Sequence, residues 1–304
     1  MTLFQNKNIL RQYIGSGDET EFTVPNHITK IKDSAFSGCE TLEKIILPDG
    51  LKEIGSHAFY RCANLKSINI PDSVTFIGES AFAECHQLTE LHIPEGLTVL
   101  EKGICQNSGL HSLYLPDSVK IIRESAFYRC SELAEISMPD SVETIAFLGF
   151  GWWNDILLTI RRTYKDVHLH INVPIRGHTM ESHLADFIQQ PSREKFILLK
   201  PEYKIPLAVG YYDLNLQAEG YFSVYLKRSI RKAVTLAVQW NDKTLLRDLL
   251  DTGFVTRKNI DFMIQYAIQH TQKGGSPECQ LMLTDYKYQH FPSDTSQITR
   301  KLKL

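Results

Sequence analysis

The chain has 304 residues, 43% hydrophobic and 22% charged, the balance of an ordinary globular protein with material for about two domains. A formal charge of -2 is not the basic footprint of a nucleic-acid binder, and no stretch approaches the roughly 18 apolar residues of a membrane span. The first 19 residues lack the charged and then apolar run of a secretory leader, so the expected location is the cytoplasm; the alternative is the cell surface, had a leader been removed.

In chain order, residues 20–24 read as the closing strand of an N-terminal cap, with Phe22 and Val24 where later units place Ile68 and Ile70. From Val24 to Pro139 one unit then recurs five times. Pro25, Pro48, Pro71, Pro94, Pro116 and Pro139 fall 23, 23, 23, 22 and 23 residues apart, with P-D-x-[LV]-x-x-I-x-x-x-A-F-x-x-C-x-x-L-x-x-I-x-I between them. A fixed period in the low twenties marks a solenoid, whose units bury their apolar faces only by stacking.

Each unit holds two short alternating stretches, such as 65–70 and 74–77, which are half-buried strands. The segment between them, 80–85 in the third unit, reads as a helical or 3₁₀ turn. Phe36, Phe59, Phe82 and Phe127 form one column that fills the interior. Cys39, Cys62, Cys85 and Cys130 form another, and their regular spacing suits buried thiols better than a disulfide framework or a zinc site. The fourth unit departs from the pattern, with Cys105 in the Phe column and one residue missing before Gly109. Drift accounts for it, with a built bend as the alternative.

Outward positions can be aligned in the same way. Five residues after each proline stand Lys30, Glu53, Phe76, Val99, Ile121 and Thr144, and a second column runs Ile46, Asn69, His92, Tyr114 and Ser137. Phe76, Val99, Ile121, His92 and Tyr114 put apolar and aromatic side chains where solvent is expected. They are the candidate protein-binding residues, although strand propensity alone also favours such residues.

The sixth unit, from Pro139, has a longer return. Residues 152–160 read as an amphipathic helix and 167–173 as the closing strand, with Trp152 and Trp153 sealing the core. His168 and His170 share a strand face but have no Cys or carboxylate beside them, so no metal is expected. Beyond Pro174 helical spacing replaces the proline period in segments 180–189, 193–199, 219–228, 231–240, 244–251, 259–269 and 278–285. The chain divides into residues 1–173 and 174–304.

Over residues 24–145 the repeat resembles the BspA-like, or Treponema-type, leucine-rich repeats. That resemblance implies a right-handed β-rich solenoid of bacteria or parasitic protists, used in protein interaction and, in several surface members, in adhesion to host proteins. Ala237-Val238-x-x-Asn241-Asp242-x-x-Leu245-Leu246-x-x-Leu249-Leu250-Asp251-x-Gly253 resembles, more weakly, an ankyrin helix pair, with an echo at Ala267-Ile268 and Leu281-Met282-Leu283 displaced by three extra residues near Gly274.

The expected fold class is α+β, a β-rich leucine-rich-repeat solenoid followed by an all-α, ankyrin-like helical domain. No phosphate loop, nucleophile elbow or zinc-protease motif occurs. The expectation is a non-catalytic interaction scaffold without cofactor, bound to an unidentified protein and to neither nucleic acid nor membrane. The alternative is an exported adhesin. Phe82→Ala should destabilise the fold by about 3 to 5 kcal/mol, measured by chemical denaturation, and a loss near zero would remove the Phe column from the core.

Overall fold

Each repeat proline opens a β-turn, in which the amides of Ile28, Leu51, Val74, Leu97, Val119 and Val142 donate to the carbonyls of Pro25, Pro48, Pro71, Pro94, Pro116 and Pro139. The structure, a computed structural model, describes residues 2–15, 18–146, 155–162, 166–172, 180–199, 201–211 and 220–292. It is α+β, with a β-solenoid followed by helices.

The turns set the strands that precede and follow them onto two ladders. After the turns come β4 (Lys30–Ile31), β6 (Glu53–Ile54), β8 (Phe76–Ile77), β9 (Val99–Leu100), β11 (Ile121–Ile122) and β13 (Thr144–Ile145). Before them come β3 (Glu21–Thr23), β5 (Lys44–Ile46), β7 (Ser67–Asn69), β10 (Ser112–Tyr114) and β12 (Glu135–Pro139). Within each sheet these strands pair in parallel, one coil on the next.

The third side of the coil is not the helical or 3₁₀ turn expected from its length. Ser34, Phe36 and Gly38 donate to the carbonyls of Ser56, Ala58 and Tyr60 in the next coil (2.9, 2.8 and 2.8 Å), while Ala35, Ser37 and Cys39 donate three residues back within their own coil. Left-handed residues on both sides of the Phe interrupt any helix: Ser34 and Gly38, His57 and Arg61, Ser80 and Glu84, Gly103 and Asn107, Ser125 and Arg129. Such a conformation costs a non-glycine residue about 1 kcal/mol or more and persists where the surroundings over-determine it. Here the neighbouring coil does so, by accepting the outward amides.

Inside, Phe36, Phe59, Phe82 and Phe127 are fully buried. Phe36, Phe59 and Phe82 stack at 5.1 and 5.2 Å between centroids, and Tyr13 extends the stack at 5.2 Å from Phe36. All six cysteines are free thiols. Cys62 and Cys85 donate to the carbonyls of Phe36 and Phe59 at 3.1 and 3.2 Å, so this column packs as small apolar groups with one weak donor satisfied.

The fourth unit breaks both sheets. β8 does not pair with β9, and residues 90–93 form no strand between β7 and β10. The missing residue draws the chain inward, so that a Cβ at Gly109 would stand 2.1 Å from the His86 carbonyl oxygen. Cys105 is fully buried in the Phe position and carries no ring to continue the stack. The turn ladder nonetheless runs through: Ser80, Phe82 and Glu84 donate to Lys102, Ile104 and Gln106 at 2.9, 2.8 and 2.8 Å.

Both ends of the solenoid are closed by antiparallel hairpins. At the start, β1 (Thr2–Asn6) pairs with β2 (Ile9–Ile14), and β2 takes the place of a coil strand beside β4. This hairpin lies upstream of the cap read from residues 20–24, of which Glu21–Thr23 are strand β3, with Phe22 and Val24 buried as expected. At the far end the expected helix over 152–160 is instead strand β14 (Asp155–Arg161), parallel to β12 and antiparallel to β15 (Val167–Asn172). Leu158 and Ile160 are buried opposite Ile136 and Met138 while Leu157 and Thr159 face outward; the two-residue period of a sheet face decides a short apolar run that helical spacing fits equally well. Trp152 and Trp153 lie outside the described residues.

Seven helices follow among the described residues: α1 (Met180–Gln189), α2 (Arg193–Leu198), α3 (Pro201–Gly210), α4 (Tyr221–Gln239), α5 (Lys243–Asp251), α6 (Ile260–Gln272) and α7 (Glu278–His290). The chain forms two compact units, Met1–Tyr203 and Lys204–Leu304, a division later than the one read after residue 173, because α1 packs on β13 and α2 on α1. The segments read as 219–228 and 231–240 are the single helix α4, whose buried Leu226, Ile230, Ala233, Val234, Ala237 and Val238 keep one continuous stripe. Helix α3 went unread in the sequence because Pro206 stands inside it.

In the second unit α4 packs on α5 and α6, and α7 on α5 and α6, which makes two stacked helical hairpins. Each first helix ends in the same cap. Asn241, which is left-handed, and Asp242 after it donate to Val238 and Ala237, and Gly274, also left-handed, and Gly275 after it donate to Thr271 and His270, a Schellman arrangement. Asp242 then accepts from the Leu245 amide at 2.9 Å and starts α5. The two caps stand 33 positions apart (241 to 274), and the connection after α6, 273–277, is longer than the one after α4, 240–242, at the place where the sequence reading put three extra residues.

Burial pushes the column thiols up, Cys39 to about 11 and Cys85 to about 12, with Cys62 and Cys130 also raised, and it raises Cys105 in the Phe position as well. An unfolded thiol ionises at its ordinary value of 9.0, so above that pH the unfolded chain releases protons that the native one retains. Stability is therefore full below about pH 9 and falls through about pH 11 to 12. Denaturation midpoints across this range should decline, with a shallower slope for Cys62→Ala/Cys85→Ala; equal slopes would show that these thiols do not drive the decline.

Candidate functional site

The candidate residues sit where the alternation of two short strands points them, away from the Phe column. Val99 and Ile121 are direct register partners on β9 and β11, both half-buried, and Thr144 follows on β13. Phe76 is 44% exposed at the end of the neighbouring sheet, across the break between β8 and β9. The preceding members of its column, Lys30 and Glu53, form an ion pair. The apolar run is thus bounded by a salt bridge at one end and by Thr144 at the other.

His92 and Tyr114 belong to the other face of the coil. Tyr114 is 56% exposed and pairs with Ser137 across β10 and β12. The Arg161 guanidinium lies 4.0 Å from its ring centroid and donates to Ser137 Oγ, the Leu115 carbonyl and Asp117 Oδ1. This clamp fixes the ring and covers one of its faces. His92 lies in the unpaired stretch 90–93 and its Nε2 is 2.9 Å from Asp72 Oδ1, a contact that holds the Asp72 carboxyl below the usual carboxylate range. The structure therefore joins Val99 to Ile121, leaves Phe76 across a seam, and sets His92 and Tyr114 beyond the proline corner.

That corner carries a feature not singled out from the sequence. The residue after each proline is Asn26, Asp49, Asp72, Glu95, Asp117 and Asp140, so stacking places five carboxylates in one column between the two faces. The unit consensus already contained it as the Asp after each Pro. Its members differ in pairing: Asp72 meets His92, Asp117 meets Arg161 and Asp140 meets Arg162, whereas Asp49 and Glu95 are exposed with no ion-pair partner among the described residues.

Among the described residues no group of three or more His, Cys, Asp or Glu could hold a metal, and no helix is long and apolar enough to cross a membrane. His168 spends its Nδ1 on Thr159 Oγ1 at 3.0 Å. The arrangement is a broad two-faced surface with an acidic edge.

Residues 12–134 and 101–156 match the family described as BspA type leucine rich repeat region, in six copies. No curated protein matches the chain. Among solved structures, the T. pallidum leucine rich repeat protein TpLRR is 29% identical over 46% of this chain and 67% of its own length, with a TM-score of 0.42. A leucine-rich repeat protein from Bacteroides ovatus is 30% identical over 47% and 42% (TM-score 0.35), and a leucine rich cell surface protein from Faecalibacterium prausnitzii is 26% identical over 46% and 47% (TM-score 0.34). The chain spans about two thirds of the first and under half of the other two. The repeat region of this protein belongs to the BspA-type leucine-rich-repeat family.

Proposed function

We propose that this protein is a non-catalytic interaction scaffold of the cytoplasm, and that the apolar run of Val99 and Ile121, with Phe76 beside it, receives a partner protein. The observation that carries the reading is register. Parallel pairing sets Val99 opposite Ile121 on the outer face, and Phe76 is the exposed aromatic next along the column. An exposed apolar patch with an aromatic anchor and a charged rim is the usual form of a protein-binding site. Six unpaired cysteines support a reducing compartment, which favours the cytoplasm over an exported adhesin.

The test is affinity capture with the wild-type chain and with Phe76→Ser/Ile121→Ser. The double variant should lose a specific partner by about tenfold or more, the loss expected when anchor residues are removed, while its melting temperature falls only slightly. Retention of the same partner would sink the reading. A collapse of stability would instead assign both side chains to the core.

A further inference from the structure

A near-neutral total hides two oppositely charged units. Met1–Tyr203 carries 19 Lys and Arg against 26 Asp and Glu, and Lys204–Leu304 carries 14 against 9, which gives -7 and +5. Such asymmetry within one chain points to an electrostatic partner.

Four of these basic residues gather in the middle of α4. Lys227, Arg228, Arg231 and Lys232 are all exposed, and the spacing stacks Lys227 over Arg231 and Arg228 over Lys232, like-charge pairs that an isolated helix disfavours. None of the four has an acidic partner among the described residues, whereas Lys243 meets Glu278 and Lys287 meets Asp261 elsewhere in the unit. The Arg231 guanidinium stands 5.5 Å from the Phe262 ring centroid on α6, and Phe262 is itself half-exposed. The face therefore pairs two guanidinium forks, suited to carboxylates, with an apolar edge.

We propose that this face of α4 docks the carboxylate column at the proline corner of a second copy of the chain. The column is the complementary surface that this protein itself presents. Where the coils pair, the column's spacing follows the distance between parallel strands, about 4.8 Å, so Asp49 and Asp72 stand nearly as far apart as stacked cations on a helix, about 5 to 6 Å. Asp49 and Glu95 are the members left open for it. The contact joins two different surfaces, so it is heterologous, and it either closes into a ring or extends as a chain of molecules. It is independent of the apolar patch proposed above.

Sedimentation velocity of the full chain tests it at about 20 mM and about 500 mM salt, either side of the range over which exposed charges are screened. The expected result is association that grows with protein concentration at low salt and is lost at high salt. Arg228→Glu/Arg231→Glu should be monomeric under both conditions, as should Asp49→Lys/Glu95→Lys, each with an unchanged circular dichroism spectrum. An equimolar mixture of the two variants restores both complementary pairings and should associate again. A wild-type monomer at every concentration, association that survives both reversals, or a mixture that stays monomeric overturns the proposal. So does a wild-type chain that binds an anionic vesicle or an oligonucleotide through α4 without associating with itself.

Discussion

The alternate amides of the return turn, each passed to the carbonyl of the next coil, are the interaction on which the rest of the solenoid depends. A single coil would hold two residues in the left-handed region and leave every second turn amide without a protein partner. The neighbouring coil removes the second difficulty and, by doing so, holds the first in place. Stability is therefore a property of the stack. It explains why both ends are finished with antiparallel hairpins, which supply a paired strand without demanding another turn.

The same ladder accounts for the tolerance of the fourth coil. Loss of one residue and of the Phe ring separates both sheets and ends the ring stack at Phe82, yet the turn amides of the third coil still reach the fourth. One side of the solenoid is continuous where the other two are interrupted. Surface and core meet at this point, since Phe76 and Val99 stand on either side of the interruption.

Much of the fold was legible because solenoid chemistry repeats in sequence. The proline period, the Phe column and the Cys column each correspond to one row of the structure. The outward columns were legible too, since alternation in a strand leaves only two faces. What could not be read was which columns become neighbours: Val99 and Ile121 pair, Phe76 belongs to another sheet, and His92 and Tyr114 lie beyond the corner. Arg161 was equally hidden, because it reaches Tyr114 from 47 positions away along the chain. The strand at Asp155–Arg161 was misread as a helix for a related reason, since its hydrogen bonds belong to β12 and β15.

The sequence by itself determined the repeat, its interior and the two-unit composition, because period and side-chain volume are local properties that every copy states again. Only the tertiary structure decided the left-handed turns, the seam at the fourth coil, the grouping of α1 and α2 with the solenoid, and the carboxylate edge. Each of these depends on a group supplied by a different coil or helix, and no window of sequence contains both partners.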